Sequence, residues 1–400
     1  MRRYSSLIVR VCCFLMLITA TSAFAATVAV GTCQPGKVSF DNLDDAVNGV
    51  PDGSIILVCP GIYQEQIAIN RSLTMKAVAN GNTSYVSIVP PPGGLAGNAF
   101  GLFEPVSFFG GGTPFAAQVT IKNGANVTLN GITIDAQGPI TTNCFPMVVG
   151  VLIQDASATL NGVVVKNQVQ TGPGPFPCFF LGADGIGVLS QNDSSNPTTV
   201  NVLNSTFLNA AQGYESDGVN TTSTITNSTF SGTPLSDGNA INIFNGSSSV
   251  RGNTISNFNF PGVAPNDFND AAYAMLLECN QSGTVANNTI TNSQGGIILT
   301  FPGCPTTGVS ITGNTITDAN FIAIQVAETN GTIQGNDIRN SRTAIRLPDS
   351  VSGNAITGNR ITGTCAALVS NPTVGFNLTS PNTISSALNL ALTNTTGLCP

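Results

Sequence analysis

The 400-residue chain has no histidine and no tryptophan, and only 8% of its residues are charged. Without histidine, and with no CxxC pair, it has no ligand set for a zinc site. Long apolar runs are missing as well. The longest, Leu7 to Ala20, is broken by Arg10, follows Arg2-Arg3 and leads to the small-x-small string Ala23-Phe24-Ala25. Residues 1–25 therefore read as a secretory signal peptide and not as a membrane anchor, which needs a longer uninterrupted stretch. No other segment looks transmembrane.

Basic residues are scarce. Removing the signal takes three arginines and no acid, so ten bases face twenty acids in the mature chain. A balance of this sign excludes nucleic acid as a partner. It also repels an acidic polysaccharide over most of the surface, unless a local basic patch or bound cations intervene.

What is abundant is Asn, Thr, Ser and Gly, arranged in a repeat. The pairs Thr206-Phe207, Thr229-Phe230, Thr254-Ile255, Thr289-Ile290, Thr315-Ile316, Asp337-Ile338 and Arg360-Ile361 follow one another at 23, 25, 35, 26, 22 and 23 residues. The long step holds an insertion, Phe258 to Asp270. A fixed period in this range marks a solenoid, in which no unit buries its apolar face alone. Within each unit the strings are short and β-branched, such as Val309-Ser-Ile-Thr312, with Gly, Asn or Asp between them, so the units are strands and turns. Helical runs are missing from the repeats. Stacking about 4.8 Å apart predicts an inward column of Phe207, Phe230, Ile255, Ile290, Ile316, Ile338 and Ile361. Beside it runs a polar ladder of Ser205, Ser228, Asn253, Asn288, Asn314, Asn336 and Asn359, whose amides bond from coil to coil and whose asparagines tolerate left-handed backbone at the turns. Asp337 falls in register with Arg360.

Phe40-Asp-Asn-Leu-Asp-Asp-Ala-Val47 has apolar residues at 40, 43, 46 and 47 and acids in its first turn. It predicts a capping helix over about 40–49 that covers the first coil. Phe40 to Pro51, Ile55-Ile-Leu-Val58, Pro60-Gly-Ile-Tyr-Gln-Glu65, Ile67-Ala-Ile69 and Ser72-Leu-Thr-Met75 together resemble the N-terminal segment of pectin-lyase-like right-handed parallel β-helix proteins. The resemblance implies an all-β chain, a right-handed single-stranded parallel β-helix with a short N-terminal capping helix. Its coils would span about 55–385, with a C-terminal cap at about 386–400. Residues 26–400 would form one domain.

Export and eight remaining cysteines imply disulfides. Neighbouring cysteines lie 26, 34, 25 and 34 residues apart, about one coil plus a loop, which predicts Cys33–Cys59, Cys144–Cys178, Cys279–Cys304 and Cys365–Cys399. Asn-x-Ser/Thr strings such as those at Asn126, Asn204 and Asn227 follow from the repeat itself.

Candidate chemistry is sparse. Asp184, Asp217, Asp237 and Asp270 each precede an apolar string and form a candidate acidic column, suited to glycoside hydrolysis or to Ca²⁺ through hard oxygen ligands. Ordinary Asp-Gly turn chemistry explains the same residues. The insertions are rich in phenylalanine, with Phe180 and Phe260 as candidate sugar-stacking residues, although such rings also serve to cover coil surface. Arg342 and Arg346 are candidate substrate contacts, the alternative being solvated charge or pairing with Asp337 and Asp349. In polysaccharide lyases of this fold an arginine acts as base beside Ca²⁺. The Gly-His-Gly and Arg-Ile-Lys elements of polygalacturonases, the Asp-Pro-His motif of alginate epimerases and the Arg-x-Trp element of pectin methylesterases are all missing. The sequence therefore predicts a polysaccharide-binding exported β-helix without a recognisable catalytic motif, with a lyase or hydrolase using the aspartates as the alternative.

Overall fold

The computed structural model describes residues 24–79, 85–102, 112, 114–138, 140–141, 145–171, 185–233, 238–259, 272–279, 282–299, 308–327, 330–348, 353–370, 376–378, 382–385 and 392–393. Each winding contributes a short strand to each of three faces. The first face is a fourteen-stranded sheet running from Ser39–Phe40 and Thr27–Val30 through Thr221–Thr226 to Phe376–Leu378. The second and third faces merge into one sheet of twenty-three strands, because Thr289–Leu299 and Thr315–Val326 run unbroken round the corner between them. Among the described strands every pairing is parallel except Ala99–Phe100 on Pro114–Phe115. Parallel crossovers within a sheet follow the right-handed twist of their strands. The molecule is a right-handed parallel β-helix.

On the second face most strands are three residues long, with the middle side chain inward. Register stacks Ile88, Ile134, Val165, Phe207, Phe230, Ile255, Ile290, Ile316, Ile338 and Ile361, one per coil, so the predicted column exists and extends toward the N-terminus. All are buried. Each contributes roughly 1.5–3 kcal/mol by leaving water. Phe207 and Phe230 stack with ring centroids 4.4 Å apart, and the third face makes room for them with glycine. A Cβ on Gly213 would lie 2.7 Å from Phe230 Cδ1 and 2.4 Å from the Ala240 carbonyl oxygen. Backbone cannot yield at that distance, so Gly213→Ala is expected to cost about 2–3 kcal/mol through overpacking. A urea midpoint equal to that of the parent chain would refute this packing argument.

The polar ladder is also present, and it is buried. From Asn288 to Asn359 each ladder Asn Oδ1 accepts two hydrogen bonds from the preceding coil. Asn314 Oδ1, for example, takes the Asn288 backbone N–H at 3.0 Å and the Asn288 Nδ2 at 2.9 Å. Its own Nδ2 donates to Asn336 Oδ1 at 2.9 Å and to the Val285 carbonyl at 3.0 Å. The left-handed backbone falls elsewhere than expected. The residue before the ladder carries it: Asn204, Asn227, Gly252, Asn287, Gly313, Gly335 and Gly358 all have φ between 50° and 65°. Ladder side chains are thereby aimed inward, while the residue before them turns the corner.

The capping helix spans Leu43–Gly49 and buries Leu43, Ala46 and Val47. It starts later than the apolar spacing suggests because Asn42 caps it, accepting from Asp45 N at 2.7 Å. Phe40 instead belongs to a short strand on Thr27–Val30. Glu65 supplies a second cap: its two carboxylate oxygens accept from Leu43 N and Asp44 N at 3.0 and 2.9 Å. A carboxylate there also meets the positive end of the helix dipole. Cys33 and Cys59 form a disulfide across this end. Cys279 and Cys365 are also disulfide-bonded. Cys144, Cys178, Cys304 and Cys399 lie outside the described residues, as does nearly all of the stretch 386–400.

Candidate functional site

Asp184, Asp237, Asp270, Phe180 and Phe260 lie outside the described residues. Asp217 does not stand before an apolar strand. It closes the third-face strand Gln212–Asp217, and Gly218 then starts the turn toward Thr221–Thr226. Its side chain is buried, with Asn245 Nδ2 at 3.5 Å from Oδ1. In register above it stand Phe244 and then Glu278, so the second carboxylate of this outward column is a glutamate. Arg346 lies on the same face, half-buried, and donates to Gln325 Oε1 at 3.3 Å. Arg342 is half-buried in the preceding turn. Asp337 takes other partners, Arg339 and, at 3.3 Å, Arg360. The Arg339 hydrogen bond foremost, with both positive charges, holds the Asp337 carboxyl below its ordinary range.

The third face differs from the other two in what its outward side chains meet. On the second face the outward Thr229, Thr254 and Thr289 are exposed, as a solvated sheet requires. On the third face outward positions are withdrawn from water. Two apolar clusters separate from the main core occupy the outside of this face. One joins Phe115, Met147, Val149, Leu152, Ile186 and Leu189; the other joins Tyr273, Ile298, Phe321 and Ile322, with Leu276 packed on it.

Between those clusters the outward residues turn polar. Register places Gln212 above Ile186, Glu215 above Leu189, Asn242 above Glu215, and Leu276 above Asn242. The result is a polar interruption two coils deep, a notch in the apolar pattern of this face. Its acceptors outnumber its donors. Gln212 Oε1 and Asn242 Oδ1 are sealed from solvent and accept no hydrogen bond among the described residues. Such atoms cost roughly 1–3 kcal/mol each when unpaired, a cost that a donating ligand or water would offset. Glu215 and Asp217 are buried beside them. Glu278, half-buried, has its pKa pushed up to about 7 because burial disfavours its charged form.

Gln212, Glu215, Asn242 and Glu278 were not singled out from the sequence. The signal was there in the string Gln212-Gly-Tyr-Glu-Ser-Asp217, whose Gln212 and Glu215 stand where Ile186-Gly-Val-Leu-Ser-Gln191 has Ile186 and Leu189. Among the described residues no three His, Cys, Asp or Glu side chains group closely enough to hold a metal.

A family model described as periplasmic copper-binding protein (NosD) matches residues 262–395. The described residues do not fit copper. The chain has no histidine, Cys279 and Cys365 are spent in disulfides, and Met275 is buried in the coil core. Solved structures similar over most of the chain include the tailspike protein Dettilon gp208. It is 14% identical with a TM-score of 0.51, over 85% of this chain and 63% of that one. The DFA-IIIase of Arthrobacter chlorophenolicus A6, solved without its lid with GF2, is 12% identical with a TM-score of 0.46, over 90% and 94% of the two chains. A mutant pectin methylesterase in complex with hexasaccharide IV is 12% identical with a TM-score of 0.38, over 74% and 80%. No curated relative matches the chain. The likeness to the tailspike is one of fold, a parallel β-helix. At these identities the likeness fixes the fold, and function must be argued from the site.

Proposed function

We propose that this is an exported β-helix protein that binds extracellular or cell-surface polysaccharide in the third-face notch. The observation that carries the reading is the pair of sealed, unpartnered acceptors, Gln212 Oε1 and Asn242 Oδ1, set between two apolar clusters. Sugars supply both halves of such a surface, hydroxyl donors at the rim of the ring and C–H groups on its faces. Phe100 and Phe145, exposed on segments that lead into the same face, add aromatic surface for a longer chain. Export rests on the signal-like first 25 residues. No described helix is long and apolar enough to cross a membrane.

A second reading, glycoside hydrolysis, is favoured by Glu278 alone. A carboxyl titrating at about 7 is suited to general acid work. Asp217, two coils away and thus about 10 Å distant along the stack, would be the base of an inverting pair. One experiment separates the readings. A glycan array and a reducing-end assay are run on the mature chain, the Asn242→Leu variant and the Glu278→Gln variant. Binding lost in Asn242→Leu, without new reducing ends in any sample, is the expected result. New reducing ends that vanish in Glu278→Gln would replace binding by hydrolysis, and an array with no signal would remove both.

A further inference from the structure

We infer that the ligand of the third-face notch is a neutral glycan read through its hydroxyl donors, and not a uronate; this rests on the polysaccharide-binding reading above. Hydrogen-bond polarity is the first argument. At the floor of the notch the sealed atoms without partners, Gln212 Oε1 and Asn242 Oδ1, are acceptors. The neighbouring carboxylates of Glu215 and Asp217 only accept when ionised. A sugar hydroxyl donates to such atoms. A uronate carboxylate brings acceptors to acceptors and leaves both sides unsatisfied.

Charge gives the same answer. Three acids stand on outward positions here, Glu215 and Asp217 on one coil and Glu278 two coils further on. Following the register, the outward bases of this face are Lys122, three coils before Asp217, and Arg346, three coils after Glu278. Three coils amount to about 14 Å, beyond the screening length of roughly 8 Å at physiological salt. Neither base offsets the negative potential at the notch. An apolar neighbour completes the match. Leu276, half-buried, sits in register directly above Asn242, where the apolar face of an uncharged pyranose or furanose ring can rest, while Leu189 below Glu215 is buried and only backs the site.

The test is calorimetry on the mature chain with two ligand sets of equal length, neutral oligosaccharides and oligouronides, at low and raised salt. Neutral ligands are expected to bind with little change in affinity on adding salt, and oligouronides at least tenfold more weakly, about 1.4 kcal/mol. Gln212→Leu and Asn242→Leu are each expected to weaken neutral binding about tenfold, while the second-face variant Thr289→Ala binds as the parent does. Melting temperature is followed for all three, and Gln212→Glu, which keeps the acceptors, covers the case in which a leucine variant misfolds. Tighter, salt-sensitive binding of oligouronides overturns the neutral-ligand inference and leaves polysaccharide binding standing. Neutral binding indifferent to both notch variants overturns the site, and no binding by either set overturns the reading beneath it.

Discussion

Replacing Asn314 with leucine is expected to destabilise the protein by about 3–5 kcal/mol, among the largest effects a single substitution outside the apolar core can have. The side chain makes four hydrogen bonds: two accepted from Asn288, one donated to Asn336 and one to the Val285 carbonyl. Leucine has similar bulk and makes none. Asn288 N–H is then left buried without its acceptor, while Asn288 Nδ2 keeps only the Val250 carbonyl. Desolvation of the orphaned donor costs roughly 1–3 kcal/mol, and each further lost bond about 1. Against this stands about 1–2 kcal/mol from the added apolar surface. In a solenoid each coil leans on its neighbours, so the damage concentrates in the windings around 288–336. Hydrogen exchange should show protection lost at Asn288 and its neighbours while the windings near Val165 keep theirs. The exposed Thr289→Ala is the control and should shift stability by no more than about 0.5 kcal/mol. An Asn314→Leu protein with the parent's denaturation midpoint would mean the ladder does not hold the coils together.

The ladder shows how far the sequence could be read. Its period and its apolar neighbour were visible because the same chemistry returns at every coil, and one face of a solenoid is a single solution repeated. The choice of left-handed residue was not visible from Asn alone, since Asn287 and Asn288 are adjacent and both tolerate it. Comparing copies resolves the point. Position 287 alternates with glycine at 252, 313, 335 and 358, whereas 288 does not, and only a position with positive φ exchanges freely with glycine. The helix start failed for a similar local reason: Phe40 fits the helical spacing, but Asn42 caps the helix after it.

The notch was less legible. Glu215, Asn242 and Glu278 occupy outward strand positions, where a polar residue is unremarkable in any solvated sheet. What makes them notable is that the outward side chains of this face lose water, a long-range property with no periodic signature. The aspartates drew notice because Asp-Gly is conspicuous. Asp217 shares its column with Phe244 and Glu278, and the alignment of third-face strands, not the Asp-Gly pattern, reveals that.

Glu278→Gln is expected to stabilise the protein at alkaline pH and to leave it unchanged in acid. Burial raises the Glu278 pKa from 4.5 to about 7, so the folded chain holds this proton more tightly than the unfolded chain does. Stability is therefore highest below pH 4.5, falls as pH rises from there to about 7, and is level above, since both states are then ionised. At about 1.4 kcal/mol per pH unit the full loss approaches 3 kcal/mol, and about 2 once the partial exposure of the side chain is allowed for. Glutamine carries no charge to desolvate and abolishes this dependence. Denaturant midpoints of the two proteins should coincide at pH 4 and separate progressively to pH 8, with the glutamine form the more stable. On the proposed polysaccharide-binding reading, a carboxylate in this column that costs free energy at neutral pH would be kept for what it does to a ligand. Parallel pH profiles for the two proteins would remove that argument, together with the hydrolytic reading that depends on a protonated Glu278.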